Sequence, residues 1–123
     1  MNKKIFVCDD NLVILEALVL ILSMTDAMVV GESKSSKALN YIINEKPAIF
    51  ICDLQMPGLN REGLIKQIRT HNELNDIFIL CISASYDARD IAINAGADYF
   101  LPKPFEINEL FAIVNRVLAA GIC

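Results

Sequence analysis

The sequence has no basic stripe, no apolar run long enough to cross a bilayer, no paired-cysteine motif and only one histidine. Each absence removes a class of function. With a formal charge of -4 and no cluster of Lys or Arg, the chain is not expected to bind nucleic acid directly, and no anionic membrane surface is expected either. The longest apolar run, Leu12 to Leu22, is broken by Glu16 and falls short of the roughly 20 residues that a membrane-spanning helix needs. That run also lacks the positive lead and cleavage site of a signal peptide, so a soluble, cytoplasmic chain is expected. Cys8, Cys52 and Cys81 each lie inside an apolar, strand-like run with no CxxC pair or histidine nearby, which argues for buried, reduced thiols rather than a disulfide or zinc framework. Cys123, at the tail, is expected to be exposed. His71 falls in the last turn of a helix, where a cation is favourable, and has no catalytic partner in the sequence.

What is present is a dense apolar content: 54% hydrophobic and 21% charged residues over 123 positions, enough for one full core and one domain spanning residues 1–123. Strand-like and helix-like stretches alternate. Lys4 to Cys8 reads as a strand, and Asp9-Asp10-Asn11 ends it while offering a cap to a helix that runs to about Met24. Met28 to Gly31 is a second strand, followed by a helix capped at Ser35-Ser36 and stopped by Pro47. The run Ile49-Phe50-Ile51-Cys52, bounded by proline and glycine, reads as a strand buried on both faces and ending on Asp53. Asn60 can cap a helix bearing Leu64, Ile65 and Ile68; Ile77 to Ile82 forms a fourth strand; and Asp87 to Ala95 is a helix closed by Gly96. Asp98 to Leu101 makes a fifth strand, and a last helix carries Ile107, Leu110, Phe111 and Val114 on one stripe. The pattern predicts an α/β fold: a doubly wound five-stranded parallel sheet in the order 2-1-3-4-5, a flavodoxin-like (βα)5 arrangement.

In such a sheet all strands point the same way, so the residues that follow strands one, three, four and five converge at one edge: Asp9 and Asp10, Asp53, Ser83 and Lys103. Three carboxylates at one place call for a hard divalent cation with oxygen ligands, and Mg²⁺ fits. With that ion and Lys103 the site is charge-neutral, with donors ready for a dianionic phosphoryl group.

Over essentially its whole length the sequence resembles the receiver domain of two-component response regulators. The resemblance rests on Asp9-Asp10 after strand one, Asp53 in the run Asp-Leu-Gln-Met-Pro, Ser83-Ala84 after strand four, and Lys103-Pro104-Phe105. It implies a phosphoprotein that serves as the phospho-accepting module of a phosphorelay. Asp53 would take a phosphoryl group, as an aspartyl phosphate, from a phosphohistidine of a sensor histidine kinase or histidine phosphotransfer protein. Asp10, Asp53 and the Gln55 carbonyl would hold Mg²⁺, with Asp9 acting mainly through metal-bound water. Ser83 and Lys103 would hold the phosphoryl oxygens. Such a protein catalyses only its own modification, and is not an enzyme acting on other substrates. The resemblance further implies a cis Lys103-Pro104 peptide, a switch in which Ser83 moves and Phe100 fills the vacated space, and control of phosphoryl lifetime at Gln55 and Ser85.

The sequence departs from the family pattern in places. Asn60-Arg61 stands where many members have Asp-Gly, and the charged positions many members use to pair through the helix-four, strand-five, helix-five face fall on Tyr99 and Ile113. Two other readings stay open: a non-phosphorylated receiver-like interaction module, and an aspartyl-phosphate phosphatase, although the latter usually has a second acid where Gln55 stands. The first helix is unusually apolar. At about 100° per residue, Ile14, Ala17, Leu18 and Ile21 are expected to face the core, leaving Leu12, Leu15 and Val19 as an outward stripe for docking the phospho-donor's helical bundle.

Overall fold

The structure is a computed structural model that describes residues 3–54, 61–85 and 87–120. Five parallel strands, β1 (Lys4–Cys8), β2 (Met28–Glu32), β3 (Ile49–Asp53), β4 (Phe78–Ser83) and β5 (Tyr99–Pro102), form one sheet in the order β2-β1-β3-β4-β5. The helices are α1 (Leu12–Leu22), α2 (Ala38–Glu45), α3 (Arg61–Thr70), α4 (Ala88–Ala95) and α5 (Ile107–Ala119). This is the doubly wound fold that the alternation predicts. None of the described helices is long and apolar enough to cross a membrane.

Strand alternation builds two cores. Phe6, Cys8, Phe50, Cys52, Ile79, Cys81 and Phe100 project to one face, where Ile42 of α2, Leu64, Ile65 and Ile68 of α3 and Ala92 of α4 cover them. Ile5, Val7, Ile49, Ile51, Leu80, Ile82 and Leu101 project to the other, under Leu15, Leu18 and Leu22 of α1 and Leu110, Ile113 and Val114 of α5. Both faces are covered, which is why the strands read as unbroken apolar runs. Cys8, Cys52 and Cys81 are register partners across β1, β3 and β4, buried and unoxidised as expected. Burial, with a smaller contribution from the charge of Asp98, pushes the Cys81 thiol up to about 12.

Several local expectations change. Ser35 and Ser36 do not cap α2; they form a 3-10 turn, Ser35–Lys37, and α2 starts without a side-chain cap. The helix ends on Lys46 in the left-handed conformation (φ 46°), because the residue before Pro47 is disfavoured from continuing the helix. His71 lies one residue beyond α3. Ile107 on α5 is exposed, and Ile113 takes its place in the core. The Asn60 cap lies outside the described residues.

The largest correction concerns α1. Leu15 is 7% exposed and Val19 is half-buried, whereas Ala17, assigned to the core, is exposed. The core face, Leu15, Leu18 and Leu22, is rotated roughly 80° from the expected one. Gly31 supplies a physical reason: a Cβ there would stand 2.9 Å from Val19 Cγ2 and 3.0 Å from Leu15 Cδ1, so the missing side chain on β2 makes room for these two residues. Of the expected docking stripe only Leu12 remains outside, while Val13, Leu20 and Met24 are the large apolar residues that α1 and its end leave to solvent.

Candidate functional site

Among the described residues the buried polar or charged side chains are Asp9, Asp53 and Ser83, and all three stand at the carboxyl-terminal edge of the sheet. Burying such groups is costly unless they are paired, so their concentration at one edge marks it as a site. Asp9 directly follows β1, where its backbone N–H extends the ladder to the Glu32 carbonyl at 3.2 Å. Its Oδ1 accepts the Asn11 backbone N–H at 3.0 Å, and Asn11 Oδ1 in turn caps α1 by accepting from Val13 and Ile14 at 3.0 and 3.2 Å. Asn11 thus ties the acid to the start of the helix. That link was not legible beyond the general cap signal of Asp9-Asp10-Asn11. Asp10, its neighbour, is exposed at the rim.

Asp53 is the last residue of β3, held between β1 and β4. Its Oδ2 accepts from Lys103 Nζ at 3.1 Å, an ion pair with little exposure on the Asp53 side. Lys103 is placed beside it by its backbone N–H, which donates to the Ser83 carbonyl at 2.9 Å and carries the β4–β5 ladder one step past the strand; the Lys103-Pro104 peptide that follows is cis. Ser83 ends β4 fully buried, its Oγ accepting the Ser85 backbone N–H at 3.1 Å.

The electrostatics follow from this packing. Burial pushes the Asp9 carboxyl above its ordinary value; the Asn11 N–H opposes this, the charge on Asp53 adds to it, and Lys103 partly offsets it. One ammonium faces two buried carboxylates with a third at the rim, leaving the charge of a divalent cation unmatched. Among the described residues no three His, Cys, Asp or Glu side chains are grouped closely enough to hold a metal ion by themselves. The donor set still fits Mg²⁺, which keeps several waters and takes only one or two carboxylates. The Gln55 carbonyl lies outside the described residues.

The family profile described as a response regulator receiver domain matches residues 5–115. The chain belongs to that family. It is similar to the response regulator MprA of Mycobacterium bovis, 31% identical over 118 residues, which cover 96% of this chain and 51% of that protein. It is also similar to the DNA-binding transcriptional regulator NtrC of Klebsiella pneumoniae, 31% identical over 84 residues, covering 68% of this chain and 18% of that protein. The receiver chain therefore spans about half the length of MprA and less of NtrC. A solved structure described as a response regulator of Chloroflexus aurantiacus superposes with a TM-score of 0.88 at 30% identity, covering 97% of this chain and 99% of the other.

Within the receiver, the five side chains singled out in the sequence are placed at one edge. Asp9, Asp53, Ser83 and Lys103 are brought together, and Asp10 stands outside them. Phe100 is packed in the core, 7% exposed, beside Cys81 in register. The residue before it, Tyr99, is exposed.

Proposed function

We propose that this receiver accepts a phosphoryl group on Asp53 from a phosphohistidine of a sensor kinase or phosphotransfer protein and changes its affinity for a downstream protein. In the step, an Asp53 carboxylate oxygen forms the new P–O bond as the P–N bond breaks, and the electron pair returns to the imidazole nitrogen. The observation that carries this reading is the Asp53–Lys103 pair at 3.1 Å beside buried Asp9 and Ser83. The lysine can shift from the carboxylate to an incoming phosphoryl oxygen, and the Ser83 hydroxyl lies at the end of the adjoining strand to do the same. Asp9, Asp10, Asp53 and the Gln55 carbonyl are the groups that would hold Mg²⁺, which neutralises charge on the transferring group when bound. No general acid is needed; positioning and charge neutralisation suffice.

The test is mass spectrometry of the intact chain after incubation with acetyl phosphate and Mg²⁺. A mass increase of one phosphoryl group is expected, absent with chelator and absent in Asp53→Ala. Full labelling of Asp53→Ala would defeat the assignment, and no labelling of the unaltered chain by any phospho-donor would favour a receiver-like interaction module.

A further inference from the structure

Between β1 and α1 two side-chain-to-backbone loops lie end to end and share one residue. Asp9 Oδ1 accepts the Asn11 N–H at 3.0 Å, which closes a turn over Asp10. Asn11 Oδ1 accepts from Val13 and Ile14 at 3.0 and 3.2 Å, and the Asn11 carbonyl accepts the Leu15 N–H at 2.8 Å. Asn11 therefore gives its N–H to the acid and both of its oxygens to the helix. The helix side of this link depends on the side chain, because Val13 and Ile14 are first-turn N–H groups with no partner inside the helix.

The surroundings of Asp9 give the link its importance. The sheet fixes the backbone: Cys8 is in register with Glu32 and with Cys52, and the Asp9 N–H donates to the Glu32 carbonyl at 3.2 Å. The side chain is only 1% exposed and stands close enough to Asp53 to feel its charge. Like charges repel, so a buried carboxylate in that position needs a donor to hold its direction. We propose that Asn11 is a positioning residue for the metal site, joining the carboxylate of Asp9 to the first turn of α1 so that acid and helix move as one. The link is a property of the unmodified chain; its bearing on Mg²⁺ rests on the site proposed above.

Amide exchange in the metal-free protein reads the link. Asn11→Ala keeps the backbone N–H but removes the cap, and should speed exchange at position 11 at least about tenfold once intrinsic rates are allowed for; Asn11→Ser, which restores an acceptor, should return most of the protection. Coupling runs both ways, so Asp9→Ala should speed exchange at Val13 and Ile14 several-fold. Asp10→Ala, which removes an equal charge from the same turn, should not. Unchanged exchange at position 11 in Asn11→Ala, equal effects of Asp9→Ala and Asp10→Ala, or equal acceleration at Val7 and Ile51 in the sheet would overturn the link. Should Asn11→Ala fail to fold, Asn11→Gly, which suits the same extended backbone without a side-chain acceptor, takes its place.

Calorimetric titration with Mg²⁺ reads the consequence. The dissociation constant should rise about tenfold in Asn11→Ala and return to within about twofold of the original in Asn11→Ser. Ile68→Val, a change to a fully buried residue in the last turn of α3, lowers stability without touching this turn and should leave the constant unchanged. An unaltered constant in Asn11→Ala, no recovery in Asn11→Ser, or an equal rise in Ile68→Val would overturn the positioning role. If the unaltered chain binds no Mg²⁺, the metal reading itself fails, and amide exchange alone decides whether acid and helix are joined.

Discussion

Asp9 is buried beside a second carboxylate, and the direction of its shift sets a pH dependence. Its carboxyl lies above the ordinary value of 3.8 in the folded chain, so the native state binds this proton more tightly than the unfolded state does. The contribution to stability is therefore greatest below the unfolded value and is lost as pH rises through the folded one. Asp9→Asn should raise the melting temperature of metal-free protein at pH 7 and give little gain near pH 3; a melting-temperature series from pH 3 to 8 checks this. With saturating Mg²⁺ the sign should reverse, because the variant gives up a carboxylate proposed to hold the metal. The cysteines give a second residue-scale expectation. With Cys8, Cys52 and Cys81 fully buried and the Cys81 thiol pushed up to about 12, iodoacetamide at pH 8 should leave all three unmodified until denaturant is added. Labelling of any of them in the native state, read by peptide mass spectrometry, would contradict the packing described.

At the scale of the element, α1 separates what periodicity fixes from what it leaves free. Nearly every position from Leu12 to Leu22 is apolar, so the hydrophobic pattern barely distinguishes one face from another. The neighbouring strand chooses the face, through the absence of a side chain at Gly31. Leu15→Ala should accordingly cost roughly 2–4 kcal/mol in urea unfolding, whereas Val13→Ala, at an exposed position, should stay within about 0.5 kcal/mol. Comparable losses at the two positions would mean that α1 is turned the other way. If the donor's helical bundle docks on this helix, the outward residues Leu12, Val13 and Leu20 are the ones to meet it. Leu20→Glu should then slow transfer from the cognate kinase by about tenfold or more while leaving labelling by acetyl phosphate unchanged. Equal loss with both donors would point to misfolding instead. Asn11 is the other element-scale device, and Asn11→Ala should cost about 1 kcal/mol through the lost cap.

For the molecule as a whole, the site concentrates negative charge at one sheet edge, and a cation bound only by the native state stabilises it by mass action. Mg²⁺ at about a hundred times its dissociation constant should add about 2.7 kcal/mol, seen as a raised melting temperature that chelator abolishes. Asp10→Asn should remove most of that rise. Identical melting curves with Mg²⁺ and with chelator would remove the metal from the site.

Strand order, the alternation of helices and the four convergent groups Asp9, Asp53, Ser83 and Lys103 were determined by the sequence itself. Their signals are local: an apolar run that ends on a carboxylate or hydroxyl, and a right-handed crossover that returns every strand in the same direction. The facing of α1, the exchange of Ile107 for Ile113 in the core, and the gathering of Leu74, Asn75, Ile77, Gly96 and Asp98 around Arg69 were decided only in three dimensions. In each of these the outcome depends on what a distant segment presents: a missing Cβ on β2, the room left under α5, or carbonyls from the turn before β4 and from a helix end. No periodicity within one segment encodes its neighbour's shape. A helix apolar on every side takes its orientation from the surface it meets, and an arginine at a helix end becomes a clasp only when the fold brings several backbone carbonyls within its reach.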